Sequence, residues 1–284
     1  MGYLLRSGGL SVSNSPYISL STWIRVPSAS IVQTPYSQSK LFLVAATDLN
    51  YDYLQIYINF NFFPGINHSI QFGVTASAPQ SGGSHNDDAG WGTSGIAFAF
   101  DTWHHVFIAM DTNHAGNSPT DTGPYPDPPL DPKKGICFFD GVNISPIGNG
   151  TLSQNKTIPG ESGYYPHTVA WSAGVSGIPV GVPFLDGMQV NWSGQVTPII
   201  EMSDYQLWVG QFIDPTVSGN FSKFVKISGG KGTLVDPAIA AAAFGQQTIL
   251  FKGNSTQFPV NRGIGGAFSL VGTNTDFTPT PSYG

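Results

Sequence analysis

Two adjacent histidines, His104 and His105, are the residues of this sequence whose type most directly suggests chemistry. The stretch that holds them, residues 100–111, alternates its side chains with the two-residue period of a strand. Neighbours on a strand point to opposite faces, so the two rings cannot ligate one metal or form one acid-base pair without a bulge. We therefore interpret them as hydrogen-bonded histidines of a core or rim at the start of a strand.

Carboxylates are the second group that suggests chemistry, because hydrolysis of a glycosidic bond typically needs two of them on opposite sides of that bond. The chain has two glutamates, Glu161 in a Gly-Ser loop and Glu201. Asp204 follows Glu201 by three residues, which on a regular strand places the two carboxylates on opposite faces. Glycoside hydrolysis stays an alternative, but the pattern argues against it and we predict no catalytic residue.

Nucleophile and nucleotide patterns are absent from the sequence as well. There is no Gly-x-Ser-x-Gly turn, and residues 92–95 read as an ordinary loop. The glycines of 263–266 are followed neither by Lys-Ser/Thr nor by a helix pattern, so no nucleotide is predicted.

Calcium is the one cofactor that the residues suggest, since hard cations want several oxygen ligands in one place. Asp87 and Asp88 follow an asparagine in a predicted loop, and Asp111 precedes Asn113 by two residues at the start of another loop. These four residues are the candidate metal ligands. The alternative is that they are solvated turn formers.

Glycan binding is suggested by aromatic side chains in polar loops, which can stack on sugar faces beside Asn and Asp partners. Trp91, Tyr125, Tyr164 and Tyr165 have such positions. Each is equally well explained as a plug that packs a loop onto the body of the protein, or as a contact to a neighbouring subunit.

Composition predicts a β-rich domain. In 284 residues the chain has 35 Gly, 22 Pro and 13% aromatic residues but only 10% charged ones, which suits short strands joined by tight turns. The net charge is -6, and Lys133 and Lys134 form the one adjacent pair of cations, which argues against a nucleic-acid partner. We expect no secretion signal and no membrane span, and the single Cys137 favours synthesis in a reducing host cytoplasm.

The elements that must position these residues follow from alternation and turn signals. Asp140-Gly141 after a short β-type run predicts a two-residue hairpin turn. One or two short helices are expected, at residues 216–225 and at residues 236–245, where Asp, Pro and Gly have the positions of N-cap, first turn and C-terminal stop. Long loops are predicted at residues 76–94 and 110–132. The predicted strands are 3–5, 10–12, 17–26, 41–47, 53–60, 68–74, 168–171, 178–183 and 196–211.

Two stretches resemble one family. A strand that opens on Trp103-His104-His105, followed by an aromatic strand that ends at Asp140-Gly141, resembles the centre of a laminin-G-like domain of the concanavalin A-like jelly-roll class. Asp204, Leu207 and Trp208 resemble the last strand of such domains. The resemblance implies an all-β, two-sheet antiparallel jelly-roll sandwich with long loops, formed by residues 1–284 as a single domain with 215–284 as a C-terminal extension on or beside it.

The ending, residues 248–273, resembles that of bacteriophage and phage-like particle proteins with this sandwich. It has a strand, an Asn-x-Gly-x-Gly-Gly loop from Asn261 to Gly266, and a final Phe-containing strand before Gly-Thr. The resemblance implies a structural virion protein, such as a head or tail decoration, spike or fibre component. Its partners would be copies of itself, other virion proteins and cell-surface glycans. A soluble carbohydrate-binding module is the alternative.

Overall fold

Antiparallel strands form most of the described chain. The structure is a computed structural model that describes residues 2–7, 10, 12, 15, 17–28, 36–46, 53–61, 69–77, 87–93, 95–111, 135–144, 175–183, 201–252, 260–272 and 281–283. The strands are β1 (Gly2–Ser7), β2 (Tyr17–Arg25), β3 (Tyr36–Ala46), β4 (Tyr53–Asn61), β5 (Ser69–Ser77), β6 (Asp87–Gly92), β7 (Ile96–Ala97), β8 (Trp103–Asp111), β9 (Gly135–Phe139), β10 (Val142–Asn143), β11 (Val175–Pro183), β12 (Glu201–Val209), β13 (Val225–Ser228), β14 (Lys231–Leu234), β15 (Ile249–Phe251), β16 (Ser269–Gly272) and β17 (Ser282–Tyr283).

These strands form three sheets. An eight-stranded sheet has the order β16-β1-β11-β3-β4-β5-β6, with β7 also paired to β5, and a six-stranded sheet has the order β10-β9-β8-β2-β12-β15. A small sheet contains β13, β14 and β17. The two large sheets enclose one apolar core, and this confirms the prediction of an all-β, antiparallel sandwich.

The core lies between the two large sheets. Ile18 and Leu20 of β2, with Val106 and Ile108 of β8, face it from the six-stranded sheet, as their alternation predicts. The eight-stranded sheet contributes buried side chains of β1, β4 and β5. Across the core the ring centroids of Phe72 and Phe139 are 5.7 Å apart. Burial of these large side chains away from water is the main term that stabilises the sandwich.

The predicted hairpin turn is confirmed between β9 and β10. Asp140 and Gly141 both have positive φ, 50° and 80°. This is the type I′ geometry, which glycine adopts without steric cost and which matches the twist of paired strands.

The outer face of the six-stranded sheet is also buried, by residues 212–244, which we call the cover. Trp23, Phe107 and Trp208 of the sheet pack in a second apolar cluster with Phe224 and Val225 of the cover. The Phe107 and Phe224 rings are 4.9 Å apart. In a sheet that is covered on both faces, each strand needs apolar side chains at its odd and at its even positions. This explains why so few charged residues occur in these strands.

Polar side chains of the sheet bond to the cover, or to the residues that directly flank it, at three points. The Ser19 hydroxyl donates to the Gln211 carbonyl and accepts from the amide N–H of Ile213, both at 2.9 Å. The indole N–H of Trp208 donates to the Gly245 carbonyl. The side-chain amide of Gln247 donates to Gln206 Oε1. Each buried polar atom of this layer that has such a partner avoids the cost of lost hydration.

One of the two predicted helices is an α-helix, α1 (Pro237–Phe244). Asp236 caps it by accepting from the amide of Ala238, as the Asp-Pro pattern predicts. At the other candidate, residues 216–225, a 3-10 turn forms at Phe221–Lys223; Gly219 interrupts the segment at a φ of 82° and Val225 begins β13. Within the described ranges no helix is long and apolar enough to cross a membrane.

The boundaries of the other predicted elements shift in places. Residues 87–92, expected in a loop, form β6, because its backbone pairs with β5 from Gly73 opposite Gly92 to Ser77 opposite Asp87. Leu10 and Val12 lie outside strands, although Leu10 is buried in the core. The predicted strand 168–171 and most of the predicted loop 110–132 lie outside the described residues.

The cover's attachment gives a first prediction. Replacing Phe224 with Ala removes a buried ring from the centre of the second cluster, and we expect the free energy of unfolding to fall by about 3–5 kcal/mol. Val217→Ala is the control in the same segment; its side chain is 53% exposed, and a change within about 0.5 kcal/mol is expected. Urea unfolding followed by tryptophan fluorescence measures both. Equal effects would show that the cover does not depend on this cluster.

Candidate functional site

His104 lies on the core face of β8, where its ring stacks on Phe139 with centroids 4.9 Å apart. Its Nδ1 is 2.6 Å from Asp140 Oδ2, and its Nε2 is 2.9 Å from the Ala99 carbonyl oxygen. The other oxygen of Asp140 accepts from the amide of His105 at 2.8 Å. The hairpin turn is therefore tied to the start of β8 by a carboxylate that serves two residues.

Both ring nitrogens of His104 have an oxygen partner. A carbonyl oxygen can only accept, so Nε2 donates to Ala99. The side chain is nearly buried, with 7% exposed, and both of its hydrogen bonds are made, which indicates a structural role for His104.

His105 lies on the opposite face, under the cover, as the alternation predicts. Its Nε2 is 2.9 Å from the Ser21 hydroxyl oxygen, and its ring packs edge-on against Trp23 and Phe221. Nδ1 has no hydrogen-bond partner among the described residues. Ser and His side chains in contact also occur in hydrolases, but here both are buried beneath the cover.

Burial lowers the pKa of His105 from 6.5 to about 3. The cause is desolvation, which disfavours the charged imidazolium. At neutral pH the ring is therefore neutral and a weak base, whereas an efficient general base has a pKa near the working pH. The Ser21–His105 contact is accordingly read as a packing contact of the second cluster.

Glu201, one of the carboxylates considered for glycoside hydrolysis, forms an ion pair. Its Oε2 accepts from Arg25 at 2.6 Å, and only 7% of the side chain is exposed. Arg25 also donates to the Asp101 carbonyl at 3.0 Å. The guanidinium thus joins β2 to β12 and to the turn before β8.

The second carboxylate, Asp204, lies in a bulge of β12. It has a φ of 48°, and the pairing with β2 shifts register between Ser203 and Gln206. The expectation that strict alternation sets its face therefore does not apply. Burial raises the pKa of Asp204, and a hydrogen bond of 2.6 Å from the Ser203 hydroxyl opposes that shift.

The structure places the backbone of the predicted calcium ligands that it describes in two sheets, and it does not describe their side chains. Asp87 and Asp88 begin β6 at an edge of the eight-stranded sheet, whereas Asp111 ends β8 opposite Tyr17 in the six-stranded sheet. Asn113 lies outside the described residues. In the part of the chain that is described, no three His, Cys, Asp or Glu side chains group as metal ligands would.

The predicted glycan-binding residues are mostly outside the described ranges. Tyr125, Tyr164 and Tyr165 all lie there. Trp91 belongs to β6 and pairs with Val74, so its backbone is in a strand instead of the expected loop; its side chain is not described. The glycan-binding assignment therefore remains a prediction.

A site that the sequence marks only as a motif is built around Asn261, between β15 and β16. Asn261 Oδ1 accepts from the amides of Leu250 and Gly263 at 2.8 and 2.9 Å. Its Nδ2 donates to the carbonyls of Gly266 and Thr248 at 2.7 and 3.3 Å. The side-chain amide thus acts as a clamp between the loop and β15.

Glycine at two positions of this loop is required by close approach. A Cβ at Gly263 would lie 2.5 Å from the Gln247 and Thr248 carbonyl oxygens, and one at Gly265 would lie 2.7 Å from the latter. Loop amides bond back to this segment, with Ile264 donating to the Gln247 carbonyl and Gly265 donating to the Thr248 carbonyl. The Asn-x-Gly-x-Gly motif is therefore explained by the backbone contact that it makes.

Three residues of these sites carry roles that sequence reasoning missed. Asp140 was expected only to form a turn, and neither Arg25 nor Ser21 was assigned a partner. Their partners are 36, 176 and 84 residues away along the chain. An Asp at the first turn position near two histidines is the only local signal, and it does not specify the pairing.

Buried His105 gives a pH prediction. Between its ordinary pKa of 6.5 and its folded value of about 3 the unfolded chain binds a proton that the folded chain does not, so stability falls as pH falls. We expect wild type to lose about 3 kcal/mol more than His105→Gln between about pH 6.5 and 4. Urea unfolding at several pH values measures this difference. Parallel curves for the two proteins would contradict it.

The Asn261 clamp gives a third prediction. Asn261→Asp keeps the size and the acceptor but turns the donating amide into an oxygen that faces two carbonyls, and we expect the free energy of unfolding to fall by about 1–3 kcal/mol. Gln246→Glu is the control, because the same chemical change falls on an exposed side chain whose bond to this loop, to the Arg262 carbonyl, is long at 3.4 Å. Thermal unfolding compares the two. Indistinguishable melting temperatures would show that the clamp is not needed.

Comparisons with known proteins give a match among solved structures alone. No protein-family model and no curated protein matches the chain. Among solved structures it is similar to the binding domain of botulinum neurotoxin serotype G, with a TM-score of 0.34 and 9% sequence identity. The match covers 72% of this chain and 36% of that one, so this chain spans little more than a third of that structure.

Proposed function

We propose that this chain is a structural protein of a bacteriophage or phage-like particle, a head or tail decoration, spike or fibre component. In this role it associates with copies of itself and with other virion proteins. It is made in the host cytoplasm and acts in the virion without catalysis. Its sandwich offers a lectin-like surface for assembly and for attachment to host glycans.

The observation that carries the proposal is the arrangement of the phage-like ending. Its three parts, strand, Asn loop and Phe-containing strand, correspond to β15, the Asn261 clamp and the segment from Phe268 into β16. β15 pairs with β12 of the six-stranded sheet, and β16 pairs with β1 of the eight-stranded sheet. The ending thus pairs with both large sheets of the sandwich, and we take its likeness to the ending of particle proteins as the support for the proposal.

The polar groups that invited a catalytic reading give further support. His104, His105 and Glu201 each contact a partner that explains its position, namely Asp140, Ser21 and Arg25. Groups held in this way tie strands together and favour a rigid body. A rigid body suits a particle component, whose surface must match its neighbours.

Sedimentation velocity of the purified chain over a wide concentration range tests the proposal. A structural particle protein is expected to form a homo-oligomer of defined size. A monomer at all concentrations that binds sugars tightly on a glycan array would instead favour the carbohydrate-binding module. Release of reducing sugar from a polysaccharide would favour a glycosidase.

A direct test locates the chain. Particles released by cells that carry the gene are labelled with gold-conjugated antibody against this protein, and we expect gold at regular positions on each particle. Label in the surrounding supernatant but not on the particles would contradict the virion assignment. Particles from cells that lack the gene are the control.

A further inference from the structure

The outer side of the cover carries positive charge on an acidic protein. Residues 215–235 contain three lysines, Lys223, Lys226 and Lys231, and no Asp or Glu. Removing this charge of +3 from the net charge of -6 leaves -9 for the rest of the chain. The positive charge of residues 215–235 is therefore separated along the sequence from the excess negative charge of the rest of the chain.

The hairpin of β13 and β14 places two of these lysines on one face. Lys226 is opposite Thr233 and Ser228 is opposite Lys231, and opposite residues of an antiparallel pair share a face. Val225, of the other parity, is buried in the second cluster. The face with Lys226, Ser228, Lys231 and Thr233 therefore points away from the sandwich, and we call it the basic face.

No carboxylate neutralises the basic face within the described residues, where the ion pairs involve other cations. The two acidic residues that flank the segment are engaged locally. Asp214 accepts from the amide and hydroxyl of Thr216. Asp236 caps α1 and pairs with Lys252.

Edge protection does not explain both lysines. A lysine on an edge strand such as β13 discourages pairing with another chain, which accounts for Lys226. Lys231, however, lies on β14, the central strand of the small sheet.

We propose that the basic face binds the acidic surface of a second copy of this chain. The proposal rests on the function proposed above and names the surface through which copies associate. Two basic faces repel each other, so the contact joins different surfaces of the two copies. Contacts of this kind build rings or filaments instead of two-fold dimers. A nucleic acid fits less well, because neutralising successive phosphates needs many cations on one face and this face has two lysines.

A pair of charge reversals tests the surface. Lys226→Glu/Lys231→Glu alters the basic face, and Lys133→Glu/Lys134→Glu makes the same change of charge elsewhere in the chain. Sedimentation velocity at about 0.1 M and about 1 M salt, where the screening length falls from about 10 to 3 Å, measures association of all three proteins. We expect wild type and the control to associate at low salt, and the basic-face variant to associate about tenfold more weakly or worse.

The outcomes separate this inference from the proposed function. A salt-insensitive oligomer in wild type, or equal association of the two variants, would overturn the basic face as the interface and leave the virion proposal standing. A monomeric wild type would count against both. The wild type could instead be a monomer that binds acidic glycans on an array, with this binding lost in the Lys226→Glu/Lys231→Glu variant. That result would identify an anionic glycan, and not a second copy, as the ligand of the basic face. Circular dichroism confirms that each variant is folded.

Discussion

The pairing of β2 with β8 extends over nine residue pairs, from Tyr17 opposite Asp111 to Arg25 opposite Trp103. Because opposite residues share a face, this one register assigns each central side chain of the six-stranded sheet either to the core or to the layer under the cover. A slip of one residue would exchange the two sets and place His105 in the core and Ile108 under the cover. Two apolar layers therefore depend on the same set of backbone hydrogen bonds, and each stabilises the register that the other needs.

Features set by neighbouring residues were predictable from the sequence. Alternation gave the two faces of β2 and β8, Asp140-Gly141 gave the hairpin turn, and Asp236-Pro237 gave the start of α1. In each case the physical cause acts within a few residues: side-chain parity, tolerance of positive φ, or an orphan amide at a helix start. The local rule is sufficient because tertiary packing agrees with it.

Features that depend on distant partners were not predictable in this way. β6 has the composition of a loop, yet its backbone completes the edge of a sheet beside β5. Asp204 breaks the alternation of β12, because a bulge inserts a residue with positive φ, and this invalidates a face assignment based on parity. The partners of His104, Arg25 and Asn261 depend on which strands adjoin. The Asn-x-Gly-x-Gly motif was visible, but the carbonyls of residues 247 and 248 that require its glycines were not.

Burial of the six-stranded sheet on both faces limits where a partner can bind. Among the described residues, one face meets the other sheet and the other meets the cover, which leaves the sheet's edges and the outer side of the cover. The edge at β15 is occupied by the Asn261 loop, since Arg262 donates to the Leu250 carbonyl and Gly265 to that of Thr248. The edge at β10 has two residues, too few for stable strand addition. Association on this side of the described molecule therefore falls to side chains instead of backbone pairing, and those that the hairpin of β13 and β14 presents on its basic face are lysine and hydroxyl groups.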